Sequence, residues 1–312
     1  MPAPSARPFR GRTAGTLAGA VVGLLTLAGC TASATAGTTS TMPVSSGQST
    51  STVSSAPLES AQNTSKLPVY WLGRSNQDIF LYREFLASSS TGDPIRSALE
   101  TMTSQKPLDP DFFTPWKKPS KLGASISAKN VITVDISADA FSRDVDQGIA
   151  ERAIQQLVYT ATAAAANAGL IDSGQGVQVS ILVDGHTDYL AFGKIKLDKP
   201  ISRGGTFLAP VWIIDPQQDS AATGTIPVHG TAASADGSDG TVRWQLLKTN
   251  GTAIPSSYLD GSAPTSGPSG PTGTYDYPLS APPGTYELRV WERRGTDPAA
   301  QYGLDTKDFT VK

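Results

Sequence analysis

Beyond Phe207 the chain never repeats its apolar residues at helical spacing. Short apolar stretches, Val211-Trp212-Ile213-Ile214, Val242 to Leu247 and Tyr286 to Trp291, alternate instead with clusters of Gly, Pro, Ser and Asp. Roughly 100 residues of short strands parted by turn residues bury a core most readily as two packed sheets. Residues 207–312 are therefore predicted to form an all-β sandwich. Within it, Gly261 to Gly273 is too rich in Gly, Pro and Ser for a core strand, which predicts a mobile loop tolerant of insertion.

Residues 67–195 read differently. Val69-Tyr70-Trp71-Leu72 and Ile79-Phe80-Leu81-Tyr82 are strand-like runs split by Gly73-Arg74-Ser75-Asn76, which predicts a hairpin. Asp93 before Pro94 is a favoured start for a helix, and Ile95, Ala98, Leu99 and Met102 keep helical spacing until Pro107. Leu108 to Leu122 holds Pro110, Pro115 and Pro119 and is predicted to be an ordered loop. Ile132, Val134 and Ile136 alternate with polar residues as a half-buried strand does. A long helix follows, with Asp144 and Gln147 in capping-box positions. Its stripe is Val145, Ile149, Ala153, Leu157, Ala161, Ala164 and Ala168, and Gly169 is placed to end it. The alanine run Ala163 to Ala166 predicts tight helix packing. Val177, Val179, Ile181 and Val183 make a further strand that stops at Asp184-Gly185. Two helices among strands predict a compact α+β domain with the helices packed on a sheet.

The first 66 residues contain neither pattern. Arg7, Arg10 and Arg12 precede a short apolar stretch, Leu17 to Ala28, which is well under the roughly 20 apolar residues of a spanning helix. This predicts an export signal over residues 1–29, ending in Leu27-Ala28-Gly29-Cys30. Those four residues resemble the lipobox of bacterial lipoproteins, which implies that Cys30 is acylated, as with palmitate, and becomes the first residue of the mature chain. An ordinary secretory signal and an uncleaved anchor are the alternatives. Residues 30–66 follow as a Ser/Thr-rich tether without aromatic residues, whose only charges are Glu59 and Lys66. Such a stretch cannot bury a core and is predicted to be disordered. As a coil its mean reach is about 30–36 Å, enough to hold a folded body off a lipid surface. The composition agrees: charged residues are 17% and hydrophobic residues 38%, below the globular averages of about 25% and 45–50%.

Several motifs resemble known families. Val134-Asp135-Ile136-Ser137 with Phe141, Leu157-Val158-Tyr159-Thr160, and Val179 to Gly185 together resemble the GerMN domain of sporulation and germination proteins, over about residues 67–195. Gly230 after Val228-His229, Val242-x-Trp244-x-Leu246, Gly284-Thr285-Tyr286 and Phe309-Thr310-Val311 are similar to the immunoglobulin-like domain of bacterial spore germination proteins. The GerMN resemblance implies an α+β module like those that build rings in envelope channels, hence assembly or protein binding, with oligomerisation open. It brings no catalytic residues.

Composition and motifs exclude several chemistries. Lys plus Arg total 25 against Asp plus Glu at 27, a formal charge of -2, so no basic excess exists to grip nucleic acid. One Cys and two His cannot build a disulfide framework, a Cys-rich zinc site or a three-His metal centre. A Gly-x-Ser-x-Gly elbow, a phosphate-binding loop, a dinucleotide fingerprint and His-Glu-x-x-His are all absent, so no cofactor is implied. His186 in Asp184-Gly185-His186-Thr187-Asp188 reads as a turn, although a carboxylate and an imidazole there invite acid–base work. Asp109 and Asp111 read as loop-capping carboxylates, with paired-carboxylate catalysis the sharper alternative. Phe112, Phe113, Trp116, Lys117 and Lys118 form the candidate partner-binding loop, since exposed aromatic and cationic residues make contact hot spots; the plainer reading has Phe112 and Trp116 pinning the loop to the core.

The reading that results is a non-enzymatic lipoprotein on the extracytoplasmic face of the cell membrane, an adaptor or assembly protein binding envelope proteins through two modules. The alternatives are a cell-wall polymer or small-ligand binding protein and an envelope hydrolase whose carboxylates lack a linear motif.

Overall fold

The computed structural model describes residues 66–312 except 77, 89–91, 143, 172–175, 234–237, 250–255, 267–272 and 295–299. The export signal, the lipobox Leu27 to Cys30 and the tether up to residue 65 lie outside the described residues.

Strands β1 (Lys66–Ser75) and β2 (Asp78–Ala87) pair antiparallel along their whole length, Lys66 opposite Ala87 and Ser75 opposite Asp78. The expected turn at Gly73 to Asn76 is thus too early: Gly73 lies inside β1, and Asn76, at φ 55°, begins the turn. The glycine serves packing instead, because a Cβ there would sit 2.7 Å from ring carbons of Tyr82 and Phe112. Helix α1 (Pro94–Ser104) starts as its sequence dictates, with Asp93 accepting the Arg96 amide at 2.9 Å. It buries Ile95, Ala98, Leu99 and Met102. Strand β3 (Phe112–Phe113) pairs with β1 on the side away from β2.

A second sheet holds β4 (Leu122–Ile126), β5 (Val131–Ile136) and β6 (Gln178–Val183) in that order, with β5 and β6 parallel. Helix α2 (Gln147–Asn167) crosses between them. Its cap is Asp146 rather than Asp144: the Asp146 carboxylate accepts the Ile149 amide at 2.8 Å, the geometry an N-cap requires three residues ahead. Gly169, at φ 67°, lets the Leu170 amide return to the Ala165 carbonyl and end the helix. The helix is buried on all sides in its middle, so its polar residues must find partners. Thr160 accepts the Tyr70 amide at 3.1 Å, and Gln156 donates to the Tyr70 carbonyl at 2.8 Å, which fixes α2 on β1. Ala163 to Ala165 are buried, as close packing predicts. A small hairpin of β7 (Tyr189–Ala191) and β8 (Ile195–Leu197) closes this α+β module.

The remaining strands are β9 (Val211–Asp215), β10 (Ser220–Ala222), β11 (Thr225–Ala232), β12 (Ser238–Lys248), β13 (Ser256–Pro264), β14 (Thr274–Ser280), β15 (Gly284–Arg294) and β16 (Tyr302–Val311). They form two sheets, β10-β16-β15-β12-β13 and β14-β11-β9, over a core that includes Val228, Leu246, Tyr275, Leu288 and Phe309. This distribution of strands between sheets is that of an immunoglobulin-like sandwich. The Tyr286 hydroxyl donates to the Pro282 carbonyl at 2.8 Å, the corner such sandwiches place at the start of this strand. The expected loop from Gly261 is a strand as far as Pro264. Its glycine makes room for the Trp244 ring, whose carbon would stand 2.5 Å from a Cβ. The two modules are packed together: Leu208, Ala209 and Trp212 join the core of the first, and the Ala209 amide donates to Leu81 at 3.0 Å.

Candidate functional site

The loop expected to face a partner turns its largest rings inward. Glu84 accepts the amides of Leu108 and Asp109 at 2.9 and 2.8 Å, and Asp109 accepts that of Asp111 at 2.9 Å, so the loop's entry is fixed. Phe112 then stacks on Tyr82 with ring centres 4.7 Å apart. Trp116 is only 4% exposed, and its indole N–H donates to the Ala153 carbonyl of α2 at 3.0 Å. Phe112 and Trp116 are therefore corrected from exposed candidates to buried pins. The physical reason is that a Trp ring laid over a helix loses both hydration and N–H solvent contact, and a helix carbonyl within reach restores the hydrogen bond. Phe113 is half-buried beneath the Arg74 guanidinium, 5.6 Å away, and only Lys117 and Lys118 remain exposed.

Trp116 supports a surface rather than forming one. Phe141 and Phe192 stand 5.0 Å from its ring, and Tyr189 stands 5.2 Å from Phe141. Phe192 takes φ 54°, costly for a bulky residue, and the aromatic cluster holds it there. Above this floor opens a cleft of about 720 Å³ lined by Ala138, Asp139, Phe141, Tyr189, Leu190, Phe192, Gly193 and Lys194. Leu190, on the hairpin, is 53% exposed, the most of any large apolar residue among those described. Asp139 lies at the rim, held below the usual carboxylate range by the Ser137 hydroxyl and then the Ser120 amide. The cleft thus presents an apolar step between one acidic and one basic side chain. Sequence reasoning missed it because the cleft is lined by two segments far apart in the chain, 138–141 and 189–194.

The other expected polar sites separate. His186 is exposed in a turn where Asp184 and Gly185 take φ 50° and 79°; the Asp184 carboxylate accepts the Ala138 amide at 3.2 Å, and Asp135 accepts that of Gly185 at 2.8 Å. His229 lies in the sandwich beside Asp276, at 2.5 Å. Asp109 is 2% exposed while Asp111 is exposed, so they do not act as a matched carboxylate pair.

Asp109 instead meets Lys307 of β16, a buried ion pair between modules. Lys307 also lies 3.9 Å from Asp305 and 4.3 Å from the centre of the Phe112 ring. Asp305 accepts the Ile213 amide at 2.7 Å, and its carboxyl is pushed up to about 6, chiefly by burial. Burial likewise raises Glu84, against the two amides it accepts. One sequence signal could have found this cluster: Asp305 and Lys307 fall at the same alternating positions as core residues Phe309 and Val311. Among the described residues no three His, Cys, Asp or Glu side chains are arranged to hold a metal ion, and no helix is long and apolar enough to cross a membrane.

Residues 68–189 match the family model Germane, described as sporulation and spore germination. Among solved structures, the tandem GerMN domains of the sporulation protein GerM from Bacillus subtilis are 19% identical, over 44% of this chain and 45% of that one, with a TM-score of 0.33. The first GerMN domain of the same protein is 14% identical, over 44% of this chain and 97% of that one, with a TM-score of 0.34. The chain thus spans less than half of the tandem structure. No curated protein matches it in sequence.

Proposed function

We propose that this chain, whose residues 68–189 match the sporulation and spore germination family model Germane, is an envelope lipoprotein, anchored through Cys30, that acts as a non-enzymatic adaptor in a sporulation- or germination-type process. The cleft beside the β7–β8 hairpin docks an envelope protein, with Leu190 as the apolar anchor. The observation that supports this reading is the exposure of Leu190 above a rigid aromatic floor. Burying the exposed half of such a side chain against a partner contributes about 1 kcal/mol, and hot spots of this kind sit on pre-formed supports.

In-cell cross-linking from a photoreactive residue at position 190, followed by mass spectrometry, tests the reading. One or two envelope proteins in stoichiometric yield are expected. Leu190→Asp should lose them while leaving stability unchanged, and Cys30→Ser should lose them by leaving the membrane. Capture of the same proteins by the Leu190→Asp chain, or of none by the native chain, would refute the docking site.

A further inference from the structure

The junction between the modules is charged at its centre. On the inward face of β16, Asp305 and Lys307 continue the row that Phe309 and Val311 begin as apolar core. They meet Glu84 of β2 and Asp109 of the loop before β3. Glu84, Asp109 and Asp305 are 7%, 2% and 4% exposed, and Lys307 is 5% exposed. Three carboxylates therefore share one ammonium in a buried site. Each has backbone amides: two for Glu84, one from Asp111 for Asp109, and those of Ile213 and Thr306 for Asp305. Those amides supply partial charge only, and burying unpaired negative charge is costly unless a proton removes it.

We propose that this junction is a proton-linked latch: closing it takes up a proton from the medium onto the buried carboxylates, so the two modules hold together more tightly in mild acid than at neutral pH. Asp305 is the acceptor. Asp109 makes the close pair with Lys307, whereas Asp305 stands 3.9 Å away and is the more enclosed of the other two carboxylates, at 4% exposed against 7% for Glu84.

The neighbouring groups leave this assignment intact. Burial presses the Lys307 ammonium to lose its proton, but Asp305, Asp109 and Glu84 outweigh it, so Lys307 stays charged. Tyr82 of β2 and Tyr275 of β14 stay neutral, both raised first by burial. On β15, Val290 stands opposite Asp305, and Glu292, two residues on, is fully buried. Asp111 is exposed and contacts Thr306 at 3.5 Å. With the junction open, Asp305 regains water and an ordinary pKa near 3.8, against about 6 when closed. The closed form thus binds the proton more tightly. Closure strengthens as pH falls from about 7 toward 4 and gains nothing below that.

Hydrogen exchange of the full chain tests the latch at the Ala209 amide, which donates across the junction to the Leu81 carbonyl at 3.0 Å. After correction for intrinsic rates, its protection should be about tenfold greater at pH 5 than at pH 7.5. Asp305→Asn keeps an oxygen for the Ile213 amide and removes the titrating charge, so protection should become high at both pH values. Equal protection at the two pH values in the native chain, or a tenfold dependence surviving in Asp305→Asn, overturns the proposal. Carboxyl NMR of the native chain decides independently of any variant: an Asp305 midpoint near 6 supports the latch, and one near 4 refutes it.

Discussion

Replacing Trp116 separates a supporting role from a contact role. The ring is 4% exposed, touches Phe141 and Phe192 at 5.0 Å, and gives its N–H to Ala153 at 3.0 Å. Trp116→Ala removes this packing and leaves a void under the β7–β8 hairpin, at a cost of about 3–5 kcal/mol. Trp116→Phe keeps most of the ring volume and loses the hydrogen bond, at a cost of about 1–2 kcal/mol. Leu190→Asp, at an exposed position, should stay within about 0.5 kcal/mol of the native chain. Urea unfolding followed by far-ultraviolet circular dichroism measures all three, and in-cell cross-linking reports partner capture for the same variants. Capture should follow stability for the Trp116 variants and fall without a stability change for Leu190→Asp. Trp116→Ala that costs under about 1 kcal/mol yet abolishes capture would restore Trp116 as a contact residue and refute the buried-pin argument.

Two further outcomes follow from the same geometry. Lys307→Met leaves three buried carboxylates without their ammonium and should cost about 3–5 kcal/mol at neutral pH; acidification should restore part of it, because protonating the raised Asp305 and Glu84 removes the repulsion, and thermal melts at pH 5 and 7.5 check both sign and size. Gly73→Ala places a methyl 2.7 Å from the rings of Tyr82 and Phe112 and should cost about 1–3 kcal/mol by urea unfolding; a loss under about 0.5 kcal/mol would mean that the rings shift freely.

Elements announced by local chemistry were legible in the sequence. Asp93-Pro94 starts α1, Gly169 ends α2, and the alternation from Val131 to Ile136 is β5. The failures share a cause: a local signal served a distant partner. Gly73 looks like a turn, but its missing side chain seats Tyr82 and Phe112. Asp144 and Asp146 both suit a cap, and only the path of the chain chooses Asp146. Strands β4 and β7 are short, five and three residues, so pairing with neighbours rather than propensity makes them strands. Trp116 beside two lysines looks like a contact surface until α2 is known to lie beneath it.

The junction is the extreme case, since Asp109 and Lys307 are separated by 198 positions. An apolar junction of the same volume would hold the modules at least as firmly, because desolvating ions consumes most of what their attraction supplies. Stability alone therefore does not account for the charges. A buried pair does constrain register: sliding β16 by one residue would turn Lys307 away from Asp109 and put an exposed side chain in its place. The third carboxylate, Asp305, also holds the Ile213 amide of β9, but while charged it weakens the closed state at neutral pH. What an apolar side chain in its place would not give is a closed state whose strength depends on the proton concentration around the chain.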